Sequence, residues 1–320
     1  FHSYQESILD CVKMFIYEQP DPKVVEKIRK DFGMTPETIA RDVQTLKEWM
    51  AKQPHLPNIT DDKLLERFLQ HSKNSMERTK EKLDAFYSVR NLVPEFFTQR
   101  DPLSPEIVEA SKVVMYCSLP KTTPEGDRVT ICKFFNRDVS KFHINNLLKL
   151  TFAQMECHMR DDLCNKHVIV YDLSGTTMAH AAAFTMPVMK KFIVFGLNAL
   201  PQRFSGFHVL NPQPYAEAII NLSKTLLKPK LAARVHVHSR GSDTFFNFVP
   251  RDIIPKEYGG TYELTMEQLR EKSYQSTLSF RQWIIDQDNI KSDESKRINF
   301  KQNPCKDLGF EGSFRKITID

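Results

Sequence analysis

The chain has 320 residues, 41% of them hydrophobic and 27% charged, with a formal net charge of +5. That length exceeds what one compact core usually supports, so two domains, or one domain with a helical appendage, are expected. The balance is that of an ordinary globular protein, and it gives no argument for nucleic acid because the cations are interleaved with Asp and Glu. No apolar run approaches the roughly 20 residues that a membrane span needs. The start, Phe1-His2-Ser3-Tyr4-Gln5, is neither a signal peptide nor an initiator Met, which leaves a trimmed leader open. The six cysteines, Cys11, Cys117, Cys132, Cys157, Cys164 and Cys305, include no CxxC pair. In so long a chain they read as reduced thiols of a cytosolic protein.

Residues 1–104 read as a helical domain. Thr35-Pro36-Glu37 is an N-cap with Pro at the first helical position. Ile39, Val43, Leu46 and Met50 follow at spacings of 4, 3 and 4. Thr60-Asp61-Asp62 opens a helix with Leu64, Leu65, Phe68 and Leu69 inward, and Ser75 caps another with Leu83, Phe86 and Tyr87 inward. Pro54 and Pro57 break the chain between the first pair, and such helices must bury one face against their neighbours. Pro102 and Pro105 mark a boundary, with Ser104 capping a short helix.

Residues 105–265 change pattern. Strands are expected at 113–117 and 129–135, joined by the turn Pro124-Glu125-Gly126-Asp127. Leu147, Leu148, Phe152, Met155 and Met159 form a helical stripe, and strand His167–Asp172 follows. A helix over 181–200 carries Phe184, Met186, Val188, Met189, Phe192, Ile193, Val194, Phe195 and Leu197. A helix apolar nearly all round is buried on all sides or lines an apolar space. Strand Phe204–Leu210 comes next. After Pro212-Gln213-Pro214 a helix carries Tyr215, Ile219, Leu222 and Leu226 at spacings of 4, 3 and 4, one apolar stripe on a polar helix. Lys228, Lys230 and Arg234 follow, then a strand over 234–238. Strands alternating with helices of this length indicate an α/β fold with a largely parallel sheet. Residues 266–320 read as a C-terminal helix to about Asp286, anchored by Leu269, Leu278 and Trp283, and a charged tail with Phe310 and Phe314 as docking candidates.

His236 and His238 share one strand face; hydrogen-bonded strand histidines are preferred over a metal site. Cys157, His158, Cys164 and His167 fit no closed zinc spacing, so no metal and no cofactor are expected. Asp161-Asp162 reads as a solvated helix end, and Asp172, with Ser174 and Gly175, as a turn cap. There is no GxSxG, GxGxxG or GxxxxGK[ST], and no nucleophile, base and orienter come together, so no enzyme is expected. Of 23 Phe, many fall in the α/β half: Phe134, Phe135, Phe152, Phe184, Phe192, Phe195, Phe204, Phe207, Phe245, Phe246 and Phe248. They supply either a large core or an apolar ligand cavity. Lys228, Lys230, Arg234 and, upstream, Arg203 form either a solvated face or a phosphate site.

Val168-Ile169-Val170-Tyr171-Asp172-Leu173-Ser174-Gly175, Gly206-Phe207-His208-Val209-Leu210-Asn211, Arg234-Val235-His236-Val237-His238 and Ile254-Pro255-Lys256-Glu257-Tyr258-Gly259-Gly260 occur in that order. The ordered set resembles a CRAL-TRIO (Sec14-like) lipid-binding domain. Residues 60–90, with Leu65, Arg67-Phe68-Leu69 and Leu83, resemble the helical domain that precedes it. The resemblance covers about residues 30–265 and points to the branch of α-tocopherol transfer protein, retinaldehyde-binding protein and clavesin. The ending Gly312-Ser313-Phe314-Arg315-Lys316 resembles insect members of that branch.

The resemblance implies a helical domain, then a mixed, largely parallel sheet flanked by helices, with a hydrophobic ligand cavity closed by a mobile gate helix. The gate would be the helix of Tyr215, Ile219, Leu222 and Leu226. Implied lining residues are Tyr171, Met178, Phe184, Phe192, Phe195 and Phe207, together with Phe134, Phe152 and Met155. Of four basic positions that read phosphoinositide head groups in α-tocopherol transfer protein, Arg203, Lys230 and Arg234 match. The fourth is Ser205, for which Lys228 is the candidate substitute. The implied function is non-enzymatic binding and intermembrane transfer of a tocopherol-, retinoid- or carotenoid-like lipid, released at anionic, phosphoinositide-bearing membranes. A cytoplasmic monomer that visits membranes transiently is expected. The alternatives are a retention protein that presents a retinoid or carotenoid to an enzyme, and a phosphoinositide-binding lipid sensor.

Overall fold

The computed structural model describes residues 17–298 and residue 305. Cys11, Phe310 and residues 312–316 lie outside the described residues. The described residues open with four helices: α1 (Pro22–Asp31), α2 (Pro36–Ala51), α3 (Asp62–His71) and α4 (Met76–Leu92). Thr35 caps α2, its Oγ1 accepting from Thr38 N–H at 3.2 Å, and Asp61 caps α3, accepting from Leu64 N–H at 3.1 Å. Such caps satisfy amide groups that have no partner inside the helix. Ser75 holds the N-cap position of α4 but its side chain makes no capping bond. Leu46, Leu65, Phe68, Leu83 and Phe86 turn inward into one core.

Short α5 (Pro94–Phe97) and α6 (Pro105–Val113) lead into the sheet. Its five strands are β1 (Val114–Thr122), β2 (Arg128–Phe134), β3 (His167–Asp172), β4 (Phe204–Leu210) and β5 (Val235–His238), side by side in chain order. The β1–β2 pair is antiparallel and the other three pairs are parallel. Parallel neighbours require crossovers, and crossovers of one hand in unbroken strand order place their helices on one face. Those helices are α7 (Ile144–Asp161), then α8 (Met178–Ala183) and α9 (Met186–Ile193) with a π-helical segment Val194–Ala199, then α10 (Ala216–Leu226) and α11 (Pro229–Ala232). The opposite face packs Val129, Ile131, Val168 and Val170 on Val249, Ile254 and on Met266 and Leu269 of α12 (Met266–Ser279). The alternation is visible within β3: Val168 and Val170 join that layer, whereas Ile169 and Tyr171 turn to the helices.

Two expectations are corrected. The continuous helix over 181–200 is broken at Phe184-Thr185, because Pro187 stands in the first turn of α9. Proline has no N–H for the carbonyl four residues back and its ring collides with that carbonyl. Asp162 is not a solvated helix end. It is buried and accepts a fork from Arg128, Nε to Oδ2 at 2.7 Å and Nη2 to Oδ1 at 3.0 Å. Asp161, its neighbour, is exposed.

Candidate ligand cavity

Between the sheet and the crossover helices lies a cavity of about 280 Å³. It lies just below the range for small-molecule pockets, about 300–1,000 Å³. Tyr116, Cys132, Phe134, Ile169, Tyr171, Phe207 and Val209 form its floor. Leu147, Leu148, Thr151 and Met155 of α7 form one wall; Met189, Phe192 and Ile193 of α9 with Gly196 and Leu197 form another. α10 and the residues flanking it cover the remaining side, through Tyr215, Ala216, Ile219, Ile220, Ser223 and Leu227.

Local irregularities set these positions. The pairing of β3 with β4 shifts between His167 and Val168, so that Ser205 is the extra residue. Such a bulge changes which face the following residues take, and Phe204 and Phe207, three apart, both reach the cavity. A Cβ on Gly175 would stand 2.2 Å from the Phe134 carbonyl oxygen. Only glycine lets the loop after β3 pass that close to β2 and deliver Thr176 and His180 to the cavity end.

Of the lining residues expected from sequence, Phe134, Met155, Tyr171, Phe184, Phe192 and Phe207 line this cavity. Phe152 and Phe195 do not. They stand behind the wall, fully buried, with ring centroids 4.4 Å apart, and Phe195 lies 4.8 Å from Phe97. On α7 the row facing the cavity is Leu147, Thr151 and Met155 at four-residue steps, which turns Phe152 toward the N-terminal helices. Met178 is 65% exposed at the start of α8. On α10 the inward row is Tyr215, Ile219, Ser223 and Leu227; Leu222 and Leu226 are half-buried beside it and do not line the cavity.

At the start of α10, Tyr215 OH donates to Thr176 Oγ1 at 2.7 Å. Ser223 hides its hydroxyl by donating to the Ile219 carbonyl at 2.8 Å, which keeps the inner face apolar. Lys228 and Lys230, just past the end of α10, are exposed. Arg234 instead donates to the Phe204 carbonyl. Arg203 Nη2 donates to Asn165 Oδ1 at 2.7 Å and its guanidinium lies 4.9 Å from the centre of the Phe32 ring. Ser205 donates to the Asp127 carboxylate, whose pKa burial pushes up. The basic cluster therefore consists of two solvated lysines and two engaged arginines, with an acid where a fourth cation was in question.

Lys82, on α4, escaped sequence reasoning. Its Nζ donates to the carbonyls of Leu197 at 3.1 Å and Leu200 at 2.8 Å, at the end of the π-helical wall segment. Burial, and then the charge of Lys228, push its pKa down to about 8. The strand histidines bond to each other: His208 Nδ1 and His238 Nε2 are 3.0 Å apart, and His236 stacks on His208 with centroids 5.1 Å apart. Among the described residues no three His, Cys, Asp or Glu side chains are grouped to hold a metal ion. Cys117, Cys132, Cys157 and Cys164 are free thiols, and Cys305 Sγ donates to the Ala85 carbonyl at 3.7 Å. Asp172 caps its turn, accepting from Ser174 N–H at 3.0 Å, Asn211 Nδ2 at 2.9 Å and Tyr258 OH at 2.7 Å.

A mostly parallel sheet with its crossover helices on one side, an apolar cavity between them and an amphipathic helix over that cavity place the chain in a class. It belongs to the CRAL/TRIO family, whose domain model matches residues 113–260, behind a match to the Pinta-like UBA domain at residues 35–107. The chain is similar to human alpha-tocopherol transfer protein-like, 30% identical over 241 residues that cover 74% of this chain and 70% of that one. It is also similar to human clavesin-2, 25% identical over 243 residues, covering 75% and 74%. The crystal structure of Sfh5 superimposes with a TM-score of 0.44 at 13% identity, covering 79% of this chain and 92% of that one. No described helix is long and apolar enough to cross a membrane.

Proposed function

We propose that this chain binds one small hydrophobic molecule of the tocopherol, retinoid or carotenoid kind, without enzymatic turnover, and moves it between membranes. One observation carries this: an apolar cavity roofed by α10, whose far end runs into the exposed Lys228 and Lys230. Burying ~300 Å² of apolar ligand surface contributes about 7–8 kcal/mol at ~25 cal/mol per Å², before the entropic costs of association. Such a ligand stays bound in water and leaves slowly. An anionic membrane supplies the compensating event. The inner face of α10 exchanges its cavity contacts for bilayer contacts, while each lysine near the head groups contributes about 1 kcal/mol. Only this differential affinity for the open form drives opening. Phosphoinositides are the anionic lipids proposed, met by Lys228, Lys230 and the solvated edges of Arg203 and Arg234. The protein acts as a monomer in the cytoplasm and visits membranes transiently.

Mass spectrometry of the organic extract from protein purified from native tissue tests the cargo. A single stoichiometric isoprenoid is expected; a mixture of phospholipids would replace this reading with lipid exchange or sensing. Transfer assays test the release step. Lys228→Glu with Lys230→Glu slows transfer to phosphoinositide vesicles severalfold and leaves retention intact. Equal slowing on neutral vesicles would remove the basic cluster from the mechanism, and transfer indifferent to vesicle charge in the unaltered protein would favour a retention protein.

A further inference from the structure

The apolar cavity contains a hydrogen-bond donor that the protein itself does not use. His180 lies in α8, lines the cavity and is 1% exposed. Its Nδ1 stands 3.2 Å from the backbone N–H of Thr177 and 2.8 Å from Thr177 Oγ1. A backbone N–H can only donate, so Nδ1 is the acceptor and the ring proton of the neutral imidazole sits on Nε2. That Nε2 is buried and has no hydrogen-bond partner. The Phe134 and Phe142 rings flank the imidazole edge to face, their centroids 5.2 and 4.9 Å from its own. Burial, and then the charge of Arg137, hold the imidazole below its ordinary pKa, so the ring stays neutral.

A buried donor without an acceptor is costly and rare, and such a group calls for an explanation. The neighbouring polar groups at this end of the cavity are already engaged. Thr176 Oγ1 donates to the Leu173 carbonyl at 2.8 Å and accepts from Tyr215; farther along α10, Ser223 bonds its own helix. A pure hydrocarbon would leave the Nε2–H stranded. A carboxylate would bring an uncompensated charge into an apolar lining. A neutral oxygen acceptor satisfies the donor without either cost.

We propose that His180 Nε2–H anchors the ligand's polar atom: the cargo is an otherwise apolar molecule with a neutral oxygen acceptor, an alcohol or a carbonyl, oriented with that oxygen at the α8 end of the cavity. This rests on the cavity reading above and adds the chemistry and direction of what it holds. It also places the polar atom beside the Thr176–Tyr215 contact, where α10 begins.

The test uses the delipidated full chain and two probes of one skeleton, farnesol and farnesene, titrated by competition with a fluorescent lipid. The wild-type protein binds farnesol about tenfold more tightly than farnesene. In His180→Asn, which keeps an acceptor for the Thr177 N–H and lacks Nε2, the ratio of the two affinities measured in that variant falls to about twofold or less. In His180→Gln, which returns an N–H near the Nε2 position, the preference recovers. The imidazole Nε2 resonance of His180 shifts with farnesol and not with farnesene. Equal binding of both probes by the wild type overturns the proposal and leaves the cavity reading standing. So does a preference that survives His180→Asn, or that disappears in Tyr171→Phe instead, and so does a loss in His180→Asn that is equal for both probes. Failure of the wild type to bind either probe overturns the cavity reading and the anchor with it.

Discussion

Burial decides the charge state of several single residues here, and their pH dependence follows from it. Burial alone would raise the Asp162 pKa; the Arg128 guanidinium overrides this and holds the carboxyl below its usual range. Its contribution is present above the unfolded pKa and is lost as pH falls toward the folded one. Four histidines behave with the opposite chemistry and the same sign. Burial pushes His158 and His208 down to about 3, His167 to about 4, and His71 well below its usual value. Below the unfolded value of about 6.5 the unfolded chain takes up protons that the folded chain refuses. Each such histidine removes up to about 1.4 kcal/mol per pH unit. Stability therefore falls steeply from about pH 6.5 to 4, well before the carboxylates titrate, and a urea midpoint that stayed flat between pH 7 and 5 would contradict it. Asp162→Asn leaves Arg128 as a buried unpaired cation and costs about 3–5 kcal/mol in chemical denaturation; a loss under 1 kcal/mol would show the pair to be dispensable. None of this was legible in Asp161-Asp162 as letters, because the partner that makes one of them a core residue lies 34 positions away.

At the scale of elements, the strands were legible and the helices only partly so. A β-strand declares itself by alternation over a few residues: β3 and β4 fall where apolar runs begin and end, though β1 continues to Thr122 through a register shift that no apolar pattern signals. A helix face must be chosen among apolar residues that all look suitable. On α10 the stripe through Leu222 and Leu226 competes with the row through Ser223 and Leu227, and the structure takes the row that contains the serine. A serine can enter an apolar face by bonding its own helix carbonyl, as Ser223 does, and hydrophobicity alone cannot foresee that. The same helix carries a prediction. The Tyr215–Thr176 hydrogen bond ties the start of α10 to the loop after β3. A hydrogen bond of this kind contributes about 0.5–1.5 kcal/mol net. Tyr215→Phe keeps the ring on the cavity and removes the tie, so release of a loaded fluorescent lipid into neutral vesicles quickens by about twofold to tenfold, with the melting temperature little changed. A release rate equal to wild type would mean that the tie does not restrain the helix.

At the scale of the whole molecule, one hydrophobic core runs from Leu46, Phe68 and Phe86 of the first helices to Ile169 and Phe204 of the sheet. A buried ionic network crosses the same boundary. Glu156 of α7, wholly buried, forms an ion pair with Arg90 of α4 at 2.9 Å and accepts a hydrogen bond from Arg100 at 3.0 Å, and Arg100 also holds Asp288, beyond helix α13 (Arg281–Gln287), at 3.0 Å. Phe97 and Phe86 shield it, the Arg90 guanidinium lying 4.2 Å from the Phe86 ring centre. With Lys82 bonding the π-helical wall, the N-terminal helices, the cavity and the C-terminal helix are joined by groups that cannot be exposed one at a time without stranding a charge. The described part of the chain should accordingly melt in one transition rather than two. Glu156→Gln tests this, because it leaves the buried Arg90 guanidinium without a counter-charge and Arg100 with Asp288 alone. A loss of about 3–5 kcal/mol is expected, and at about 2–4 °C per kcal/mol for large domains the melting temperature falls on the order of 10 °C. Calorimetry should show a single peak moving as a whole. A low-temperature shoulder, with the rest of the peak in place, would mean that the helices melt apart from the cavity domain and that the network couples them less than its burial implies.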